Sequence, residues 1–411
     1  MGNSFAALDW TIFAAYFAMI VAFGWHASRQ KAKDSRDFFL GGNSMSYWVV
    51  AVSVLATSQS AATFLGGPDQ GYRGDYTYLS ANIGAIIAAI FVAKVLIPKY
   101  YALKATTVYE ILEDRFNSNT MRAAGGMYLI GRVFASGSRL YLAAIAVAMI
   151  LFSNVDASSV IFAAFIMMII GFLMTFLGGI NSVIWSDLIQ FIIYIGSALA
   201  VLLFLRYAIP VSNEVLLEGL ANAPDAAAGT KDKLRLIDFG LDFSQPFALL
   251  SILFGLTLLN IGSFGLDQDI TQRVLACKNA KEGGRSILIS AIVAIPVIWI
   301  FISIGQLLHV FYERPELMGA DIVNGASNEF KGEKISIFMH YILNELPAGL
   351  RGLVTVGVIA AAVSTINSGL NSMSSVIIED FYRPWRGKTK SMPDTHFVFA
   401  GRVSMLLVGL A

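Results

Sequence analysis

The sequence predicts an all-α polytopic membrane protein, and composition, apolar runs and loop charge each lead to this class. Of its 411 residues, 56% are hydrophobic and only 14% are charged, and the mean hydropathy is +0.66. Soluble domains carry roughly 25% charged residues, so this balance excludes an ordinary soluble domain. The net charge of +1 gives no indication of nucleic-acid binding, and a single cysteine, Cys277, excludes an internal disulfide.

Nine apolar runs of about 20 residues follow one another along the chain, each long enough to cross a bilayer as a helix. They lie at 10–27, 47–66, 78–98, 124–152, 158–177, 183–205, 247–266, 286–310 and 350–377. A tenth run begins at Phe397 and stops at Ala411, so we interpret the chain as truncated within this last helix. The first run has no preceding basic region and no cleavage site, which indicates a retained helix rather than a signal peptide.

Basic residues fall on alternate sides of these spans. The segment after the first span is basic, with Lys33 and Arg36, whereas the residues before it hold only Asp9. Because cytoplasmic loops carry an excess of Lys and Arg, we expect the N-terminus outside the cell and a multi-pass position in the plasma membrane. The longer segments 210–244 and 311–347 then fall outside.

The span at 350–377 carries hydroxyl and amide groups at its centre. At helical spacing these groups form one stripe, made of Ser364, Ser368, Ser372 and Ser375, with Thr365 and Asn371 alongside. Hydrocarbon offers them no water, so they must face a protein interior or a solvated cavity. Small uncharged oxygens at mid-depth suit a bare alkali cation, and the pattern therefore favours an ion-coupled transporter.

The span at 47–66 has a second polar centre, where Thr57, Ser58, Gln59 and Ser60 stand in succession. Short polar side chains compete for backbone hydrogen bonds and favour local unwinding. A helix interrupted near mid-membrane is a common binding-site device of secondary transporters, because unwound carbonyls coordinate cations. The alternative, small residues that allow close helix packing, fits less well with amide side chains such as Gln59 and Asn367.

A third weak point lies in the span at 247–266 and its continuation, where three glycines and two acids interrupt the apolar run: Gly255, Gly262, Gly265, Asp267 and Asp269. Interrupted helices at the start of each half predict two five-helix repeats of inverted topology. We therefore expect one transporter domain over 1–411. It comprises an extra N-terminal helix and loop (1–46), a first repeat (47–206) and an incomplete second repeat (247–411).

Four motifs in this order resemble the sodium:solute symporters, the family of the sodium/galactose, sodium/proline and sodium/sialic acid transporters. The motifs are Asp37-Phe38-Phe39-Leu40-Gly41-Gly42, Gly178-Gly179-Ile180…Trp185-Ser186-Asp187-Leu188-Ile189-Gln190, Asp269…Gln272-Arg273 and Ala361…Ser364-Thr365…Leu370-Asn371-Ser372. The resemblance covers essentially the whole chain, is nearest in motif to the sialic acid branch, and implies a LeuT-like fold. It also implies a Na⁺ site, held by backbone carbonyls of Ala56, Gln59 and Ala361 and by the hydroxyls of Ser364 and Thr365.

The resemblance further implies a candidate second sodium site at Asp187, Asn367 and Ser368. The sialic acid branch has two adjacent serines where this chain has Asn367 and Ser368, so Asn367 departs from the pattern. A carboxylate such as Asp187 inside a membrane helix costs roughly 2.5–3.5 kcal/mol unless a cation or water compensates it. The alternatives for Asp187 are a place on the sodium exit path and an interfacial acid near Trp185.

Arg132 is the candidate selector of the transported solute. It lies about mid-way along the span at 124–152, where a guanidinium can bind a carboxylate through two hydrogen bonds. The sialic acid branch has an arginine at this position, and its other substrate contacts match a set on the first two core helices: Ser58, Ser60, Thr63, Tyr78 and Asn82. The alternatives are a structural salt bridge at Arg132 and a substrate role for Arg139.

These interpretations predict a sodium-coupled symporter that imports a small organic solute, such as sialic acid, an amino acid or a monocarboxylate. Asp269, Gln272 and Arg273 are expected at a cytoplasmic helix end, either as an inner gate or as caps and anchors. The sequence carries no His-Glu-x-x-His, no Gly-x-Ser-x-Gly and no paired membrane aspartates, so an enzyme is not expected. The alternative is a transporter-like sensory domain of a longer signalling protein.

Overall fold

The computed structural model describes residues 5–28, 32–176, 178–225, 229–241, 243–319, 329–330, 333–387 and 392–410. These residues are almost entirely helical, apart from two small two-stranded sheets in the connecting segments. Among the described residues, seven helices are long and apolar enough to cross a membrane, and one bent pair makes an eighth if it is counted as a single span. The predicted all-α polytopic class is confirmed.

The N-terminal helix α1 (Ala7–Ser28) is tied to the first turn of a helix far along the chain, α17 (Leu350–Val376). Asp9 of α1 is fully buried. Its Oδ1 accepts hydrogen bonds of 2.7 Å each from the backbone N–H groups of Gly349 and Gly352. A carboxylate at a helix N-terminus satisfies otherwise unpaired donors and complements the helix dipole. Asp9 therefore fixes the extra helix to the helix that carries the main polar stripe.

The first core span is broken, as its run of polar residues predicts. After the short helix α2 (Ser35–Leu40) and a 3₁₀ turn (Gly41–Asn43), α3 (Tyr47–Ser58) and α4 (Ala61–Arg73) meet at an angle of 70°. Gln59 and Ser60 have extended backbone conformations, and the Ser60 side chain caps α4 by accepting from the N–H of Thr63 at 3.4 Å. The expected local unwinding of this span is confirmed.

The rest of the first half consists of helices that follow α4 along the chain. It comprises α5 (Thr77–Phe91), a π-helical turn (Val92–Leu96), α6 (Ile97–Leu103), α7 (Glu110–Arg115), α8 (Ser118–Phe152), α9 (Ala157–Phe176) and α10 (Gly179–Ala208). The start of α10 requires glycine, because Gly179 has a φ of +59° and a Cβ there would lie 2.4 Å from the carbonyl oxygen of Phe38. The Gly178-Gly179 pair therefore lets α10 begin in direct contact with α2.

The segment between the two halves contains α11 (Asn213–Ala221), β1 (Ala223–Asp225) and β2 (Gly229–Lys231). Buried Lys233 fastens it to the end of α4, since its Nζ donates to the carbonyl oxygens of Tyr72 (2.9 Å) and Gly74 (2.7 Å). Burial of this amine lowers the pKa of Lys233 to about 8. Arg235 adds an ion pair to Asp75 at 3.0 Å. Helix α4, the second half of the broken span, is thus held by the connecting segment.

The second half also begins with a broken helix. A π-helical turn (Ser251–Leu256) leads into α12 (Thr257–Gly265), and after an interruption at Leu266 and Asp267 the chain continues as α13 (Gln268–Leu275). The remaining elements are α14 (Ala280–Glu313), α15 (Pro315–Met318), β3 (Glu329–Phe330), β4 (Glu333–Lys334), α16 (Ile337–Asn344), α17, a π-helical turn (Ile377–Tyr382), α18 (Arg383–Gly387) and α19 (Asp394–Leu410). The break falls within the stretch that the glycines and acids mark as weak.

Helix α17 lies at the centre of the molecule and packs against α1, α8, α9, α10 and α19. Of its 27 residues, all but Leu350 and Leu353 are buried. The hydroxyls and amides of the polar stripe are all buried, so they face other helices rather than lipid. Ala411, where the sequence analysis places the interruption of the last helix, lies outside the described residues.

Replacing Asp9 with alanine is expected to destabilise the protein by about 1–3 kcal/mol, because buried N–H donors at the start of α17 lose their acceptor. Asp9→Asn keeps one acceptor oxygen and should lose less. Thr11→Ala, on the same helix but exposed, is the control. Thermal unfolding of the purified protein in detergent measures the effect, and equal melting temperatures for Asp9→Ala and Thr11→Ala would contradict it.

Candidate functional site

Asp187 of α10 joins four helices at the centre of the site. It is fully buried. Its Oδ1 accepts from the Ser364 hydroxyl of α17 at 2.7 Å, and its Oδ2 accepts from the Ser53 hydroxyl of α3 at 2.5 Å. The guanidinium of Arg273 on α13 donates to the same Oδ2 from Nε (3.2 Å) and Nη2 (3.1 Å). One carboxylate therefore connects both broken helices to α10 and α17.

Arg273 is also fully buried. Besides Asp187, its Nε donates to Ser53 Oγ at 2.9 Å and its Nη2 to Ser368 Oγ at 2.7 Å. Its Nη1 donates to the carbonyl oxygen of Asp269 at 2.6 Å. A guanidinium has five donors, and this one is bound by acceptors from three other helices, α3, α10 and α17, and from its own helix.

The expected position of Asp269, Gln272 and Arg273 at a cytoplasmic helix end stays a prediction. All eight residues of α13 are buried, and the helix packs against α3 and α17. Gln272, for example, donates from Nε2 to the carbonyl oxygen of Phe39 at 2.8 Å. Whether the three residues act as a gate stays a prediction.

A small enclosed space lies at the break between α3 and α4. Its lining consists of Ala56, Gln59, Gln190, Phe191, Tyr194, Ala360, Ala361 and Ser364. Measured as the space open to the centre of a water molecule, its volume is about 10 Å³, which is room for about one water or one bare ion. We refer to this space as the break cavity.

Four of the five predicted sodium ligands line the break cavity: Ala56, Gln59, Ala361 and Ser364. The fifth, Thr365, is adjacent, since its hydroxyl donates to the carbonyl oxygen of Ala361 at 3.1 Å. The structure thus brings the predicted residues together, while their binding of sodium stays a prediction.

The break frees backbone carbonyls beside this cavity. The last turn of α3 closes with the Gln59 N–H donating to Leu55 O at 3.0 Å. The next N–H, that of Ser60, donates to the Thr63 hydroxyl at 3.4 Å rather than closing a turn onto Ala56. Carbonyls at a helix end need other partners, and hard cations take oxygen ligands. Throughout the part of the chain that the structure describes, no cluster of three or more His, Cys, Asp or Glu residues is placed to hold a metal ion.

The three residues of the candidate second sodium site do not converge on one point. Ser368 Oγ donates to Ser364 O at 2.7 Å and accepts from Arg273, so it faces α13 together with Asp187. The Asn367 amide instead approaches α9, where its Nδ2 lies 3.9 Å from Met174 Sδ. The two side chains point to different helices, as expected for neighbouring residues of one helix.

Arg132 of α8 is buried and paired with a carboxylate of the protein itself. Its Nη2 forms an ion pair with Asp269, and its Nη1 lies 3.7 Å from Asp267 Oδ2. The Tyr128 hydroxyl donates to the same Asp269 carboxylate at 2.7 Å, and the Ser372 hydroxyl donates to it as well. The salt bridge considered as an alternative from the sequence is therefore present, and a role in substrate binding stays a prediction.

The other predicted substrate residues bond locally. Ser58 Oγ donates to Leu55 O at 2.8 Å, Ser60 and Thr63 cap α4, and Asn82 Nδ2 donates to Leu79 O at 2.9 Å. The Tyr78 ring packs edge-on against Phe247, with 4.9 Å between centroids. Within the described ranges, no hydrogen bond or ion pair joins these side chains to Arg132.

Sequence reasoning missed three residues of the site: Ser53, Gln190 and Tyr194. Ser53 lies one turn before Thr57 on the same helix face, and Gln190 lies one turn after Asp187 within a motif that the sequence displays. Their spacing from known polar positions is the signal that could have identified Ser53 and Gln190. Tyr194 gives no such signal, because an aromatic residue in a membrane helix is unremarkable.

Two helices broken at mid-bundle, free carbonyls beside buried hydroxyls, and charge pairs carried by the second broken helix define a cation-coupled secondary transporter. The sodium:solute symporter family matches residues 38–411, which is most of the chain. The chain belongs to this family. It is a multi-pass sodium-coupled symporter of a small organic solute and not an enzyme.

Transporters of known solutes are similar to the chain. The sodium/sialic acid symporter SiaT of Proteus mirabilis (strain HI4320) is 29% identical over 383 residues, which are 92% of this chain and 72% of the relative. Sodium-coupled monocarboxylate transporter 2 of Mus musculus is 27% identical over 390 residues, covering 93% of this chain and 59% of the relative.

A solved structure, the substrate-bound outward-open state of a Na⁺-coupled sialic acid symporter, superimposes with a TM-score of 0.81 at 25% identity. The match covers 99% of this chain and 80% of that one. The expected LeuT-like fold is confirmed. The sensory-domain alternative has no support among these relatives.

Removing one partner of the Asp187–Arg273 pair should cost more stability than removing both. Asp187→Ala leaves a buried guanidinium without its carboxylate, which costs about 3–5 kcal/mol. The double variant Asp187→Asn with Arg273→Gln should recover much of this loss. Asp394→Ala, which removes an exposed partner of Arg383, is the control and should change little. Denaturant or thermal unfolding measures the series, and a double variant less stable than Asp187→Ala would contradict the pairing.

Proposed function

We propose that this symporter imports a small carboxylate-bearing solute across the plasma membrane by alternating access, with sodium bound at the break between α3 and α4. The observation that carries the proposal is the break cavity, a one-ion space next to the free carbonyls of the broken helix. The proposed ligands are the carbonyl oxygens of Ala56, Gln59 and Ala361 and the hydroxyl oxygens of Ser364 and Thr365.

This ligand set is uncharged, which suits a cation that must leave again in each cycle. Its oxygens come from two helices in contact. Ala56 and Gln59 lie at the end of α3, and the other residues belong to α17. Sodium would therefore hold the broken span against the central helix, and its release would weaken this contact, which the hydrogen bonds of Ser53 and Ser364 to Asp187 also maintain. Coupling follows from this bridge, because an ion shifts a conformational equilibrium by its difference in affinity for the two states.

Arg132 is the proposed selector of the carboxylate. Its pairing with Asp269 orients the guanidinium within the membrane, where an unpaired charge is costly. Its Nε is buried, and among the residues described it has no hydrogen-bond partner. This unpaired N–H is the donor that we propose for the carboxylate of the solute. The names of both relatives given above refer to solutes that carry this group, and the remaining proposed contacts are Ser58, Ser60, Thr63, Tyr78 and Asn82.

We propose one sodium ion per cycle. Arg273 already neutralises Asp187, and Asn367 faces Met174 instead of Asp187 and Ser368. One sodium with a monoanion moves no net charge, so a tenfold sodium gradient supports only about tenfold accumulation, or about 1.4 kcal/mol. One sodium with a zwitterion moves one net positive charge, so a membrane potential of 100 mV adds about 2.3 kcal/mol. Together the two terms permit roughly 500-fold accumulation. Strong concentration of a carboxylate solute would therefore require a zwitterionic one.

The inner gate is proposed at Asp269, Gln272 and Arg273, because α13 connects the Arg132 pair to the Asp187 pair. The N-terminus is proposed to lie outside, with 1–46 preceding inverted repeats at 47–206 and 247–411. The contact of Asp9 with the start of α17 places the beginnings of α1 and α17 on one face. The broken helices α3–α4 and α12–α13 open the two proposed repeats in the same way.

Ser364→Ala is expected to weaken sodium binding about tenfold or more, since it removes a hydroxyl ligand and leaves Asp187 with an unfilled acceptor. Ser364→Thr keeps the hydroxyl and should retain most of the affinity. Sodium binding is read from the rise in melting temperature during a NaCl titration at constant ionic strength with KCl. Unchanged sodium dependence in Ser364→Ala would move the site elsewhere.

Arg132→Ala should abolish sodium-dependent stabilisation by sialic acid, proline and a short monocarboxylate, because the carboxylate loses its charged partner. Arg132→Lys should rescue only part, since an ammonium cannot bind bidentately. Arg139→Ala is the matched control on the same helix. Galactose and glucose complete the panel, and a sodium-dependent shift with these sugars alone would overturn the role of Arg132.

A further inference from the structure

The break cavity is lined by polar atoms that the protein leaves unused. Three side-chain oxygens on its wall are buried and, within the described part of the chain, lack any hydrogen-bond partner: Gln59 Oε1, Gln190 Oε1 and Tyr194 OH. Buried polar groups in native proteins are nearly always paired, and each exception requires an explanation. Three exceptions around one space of about 10 Å³ indicate a polar occupant.

Gln190 is the most informative of the three. It is 1% exposed, lies on α10, and stands one turn after Asp187, so both side chains are on the same face of that helix. Its Nε2 has only the thioether of Met174 as acceptor, at 3.5 Å, and a thioether is a weak acceptor. An amide with no strong partner at either end is costly inside a membrane.

We infer that Gln190 binds the transported sodium ion through its side-chain amide oxygen, adding a sixth oxygen to the five proposed above. The inference rests on the proposed position of the sodium site. An amide oxygen is uncharged and suits a hard cation. With Gln190 as ligand, the ion connects α10 to α3 and α17, so the cation joins three helices instead of two.

This geometry separates two roles on α10. Asp187 binds the fixed guanidinium of Arg273 and orients the Ser364 hydroxyl at 2.7 Å. Gln190, one turn on, faces the space where the ion lies. The carboxylate thus positions a sodium ligand without binding sodium itself, and the amide binds it without adding a charge that would hold the ion too tightly to leave.

Sodium titrations without solute test the inference. Gln190→Leu removes the oxygen and should raise the NaCl concentration for half-maximal thermal stabilisation roughly ten- to hundredfold, the range found when support of a metal site is removed. Gln190→Glu keeps an oxygen, adds charge and should lower that concentration. The matched control is Thr175→Val on α9, which removes another buried, unpartnered hydroxyl away from the cavity wall and should leave the titration unchanged.

The outcomes distinguish this inference from the proposal beneath it. If Ser364→Ala shifts the sodium titration but Gln190→Leu and Gln190→Glu leave it unchanged, Gln190 is not a ligand, although the site stands. If Ser364→Ala also leaves it unchanged, the site itself is misplaced. Should Gln190→Leu fail to fold, Gln190→Glu alone decides, since an unshifted titration in that variant overturns the inference.

Discussion

The structure depends on one constraint: polar groups placed in the middle of a membrane protein must find partners within it. Asp187 shows how this chain meets the constraint. Hydroxyls of Ser53 and Ser364 and the guanidinium of Arg273 occupy its two oxygens, and these partners come from α3, α17 and α13. Because the partners belong to both broken helices, satisfying one carboxylate also fixes the relative positions of the elements around the break cavity.

The same constraint explains how ion binding can be linked to movement. A broken helix has free carbonyls at its ends, and these need either a cation or a new helix contact. In the proposed cycle, bound sodium links the carbonyls of α3 to α17, and its release removes that link. The hydrogen bonds of Asp187 with Ser53 and Ser364 and its ion pair with Arg273 do not involve the ion, so they still join α3, α17 and α13 to α10. The proposed site therefore combines a contact that depends on the ion with contacts of Asp187 that do not.

The sequence predicted the class, the helix breaks and the grouping of Ala56, Gln59, Ala361 and Ser364, because apolar length and hydroxyl spacing are local signals. It did not predict that Arg273 would lie fully buried beside Asp187. The two residues are far apart in the chain. In sequence, a polar helix end that faces water also resembles a short polar helix that is buried, as α13 is. Asn367 illustrates the same limit, since the motif marked it as unusual but only packing could show that its amide faces Met174.

Equilibrium binding of radioactive ²²Na⁺ to the purified full chain tests the central claim most directly. The account predicts saturable binding of one sodium ion per chain that excess K⁺ does not displace. Binding of two ions per chain would contradict the assignment of Arg273 as the resident partner of Asp187. No saturable binding, or equal displacement by K⁺, would contradict a sodium site at the break between α3 and α4.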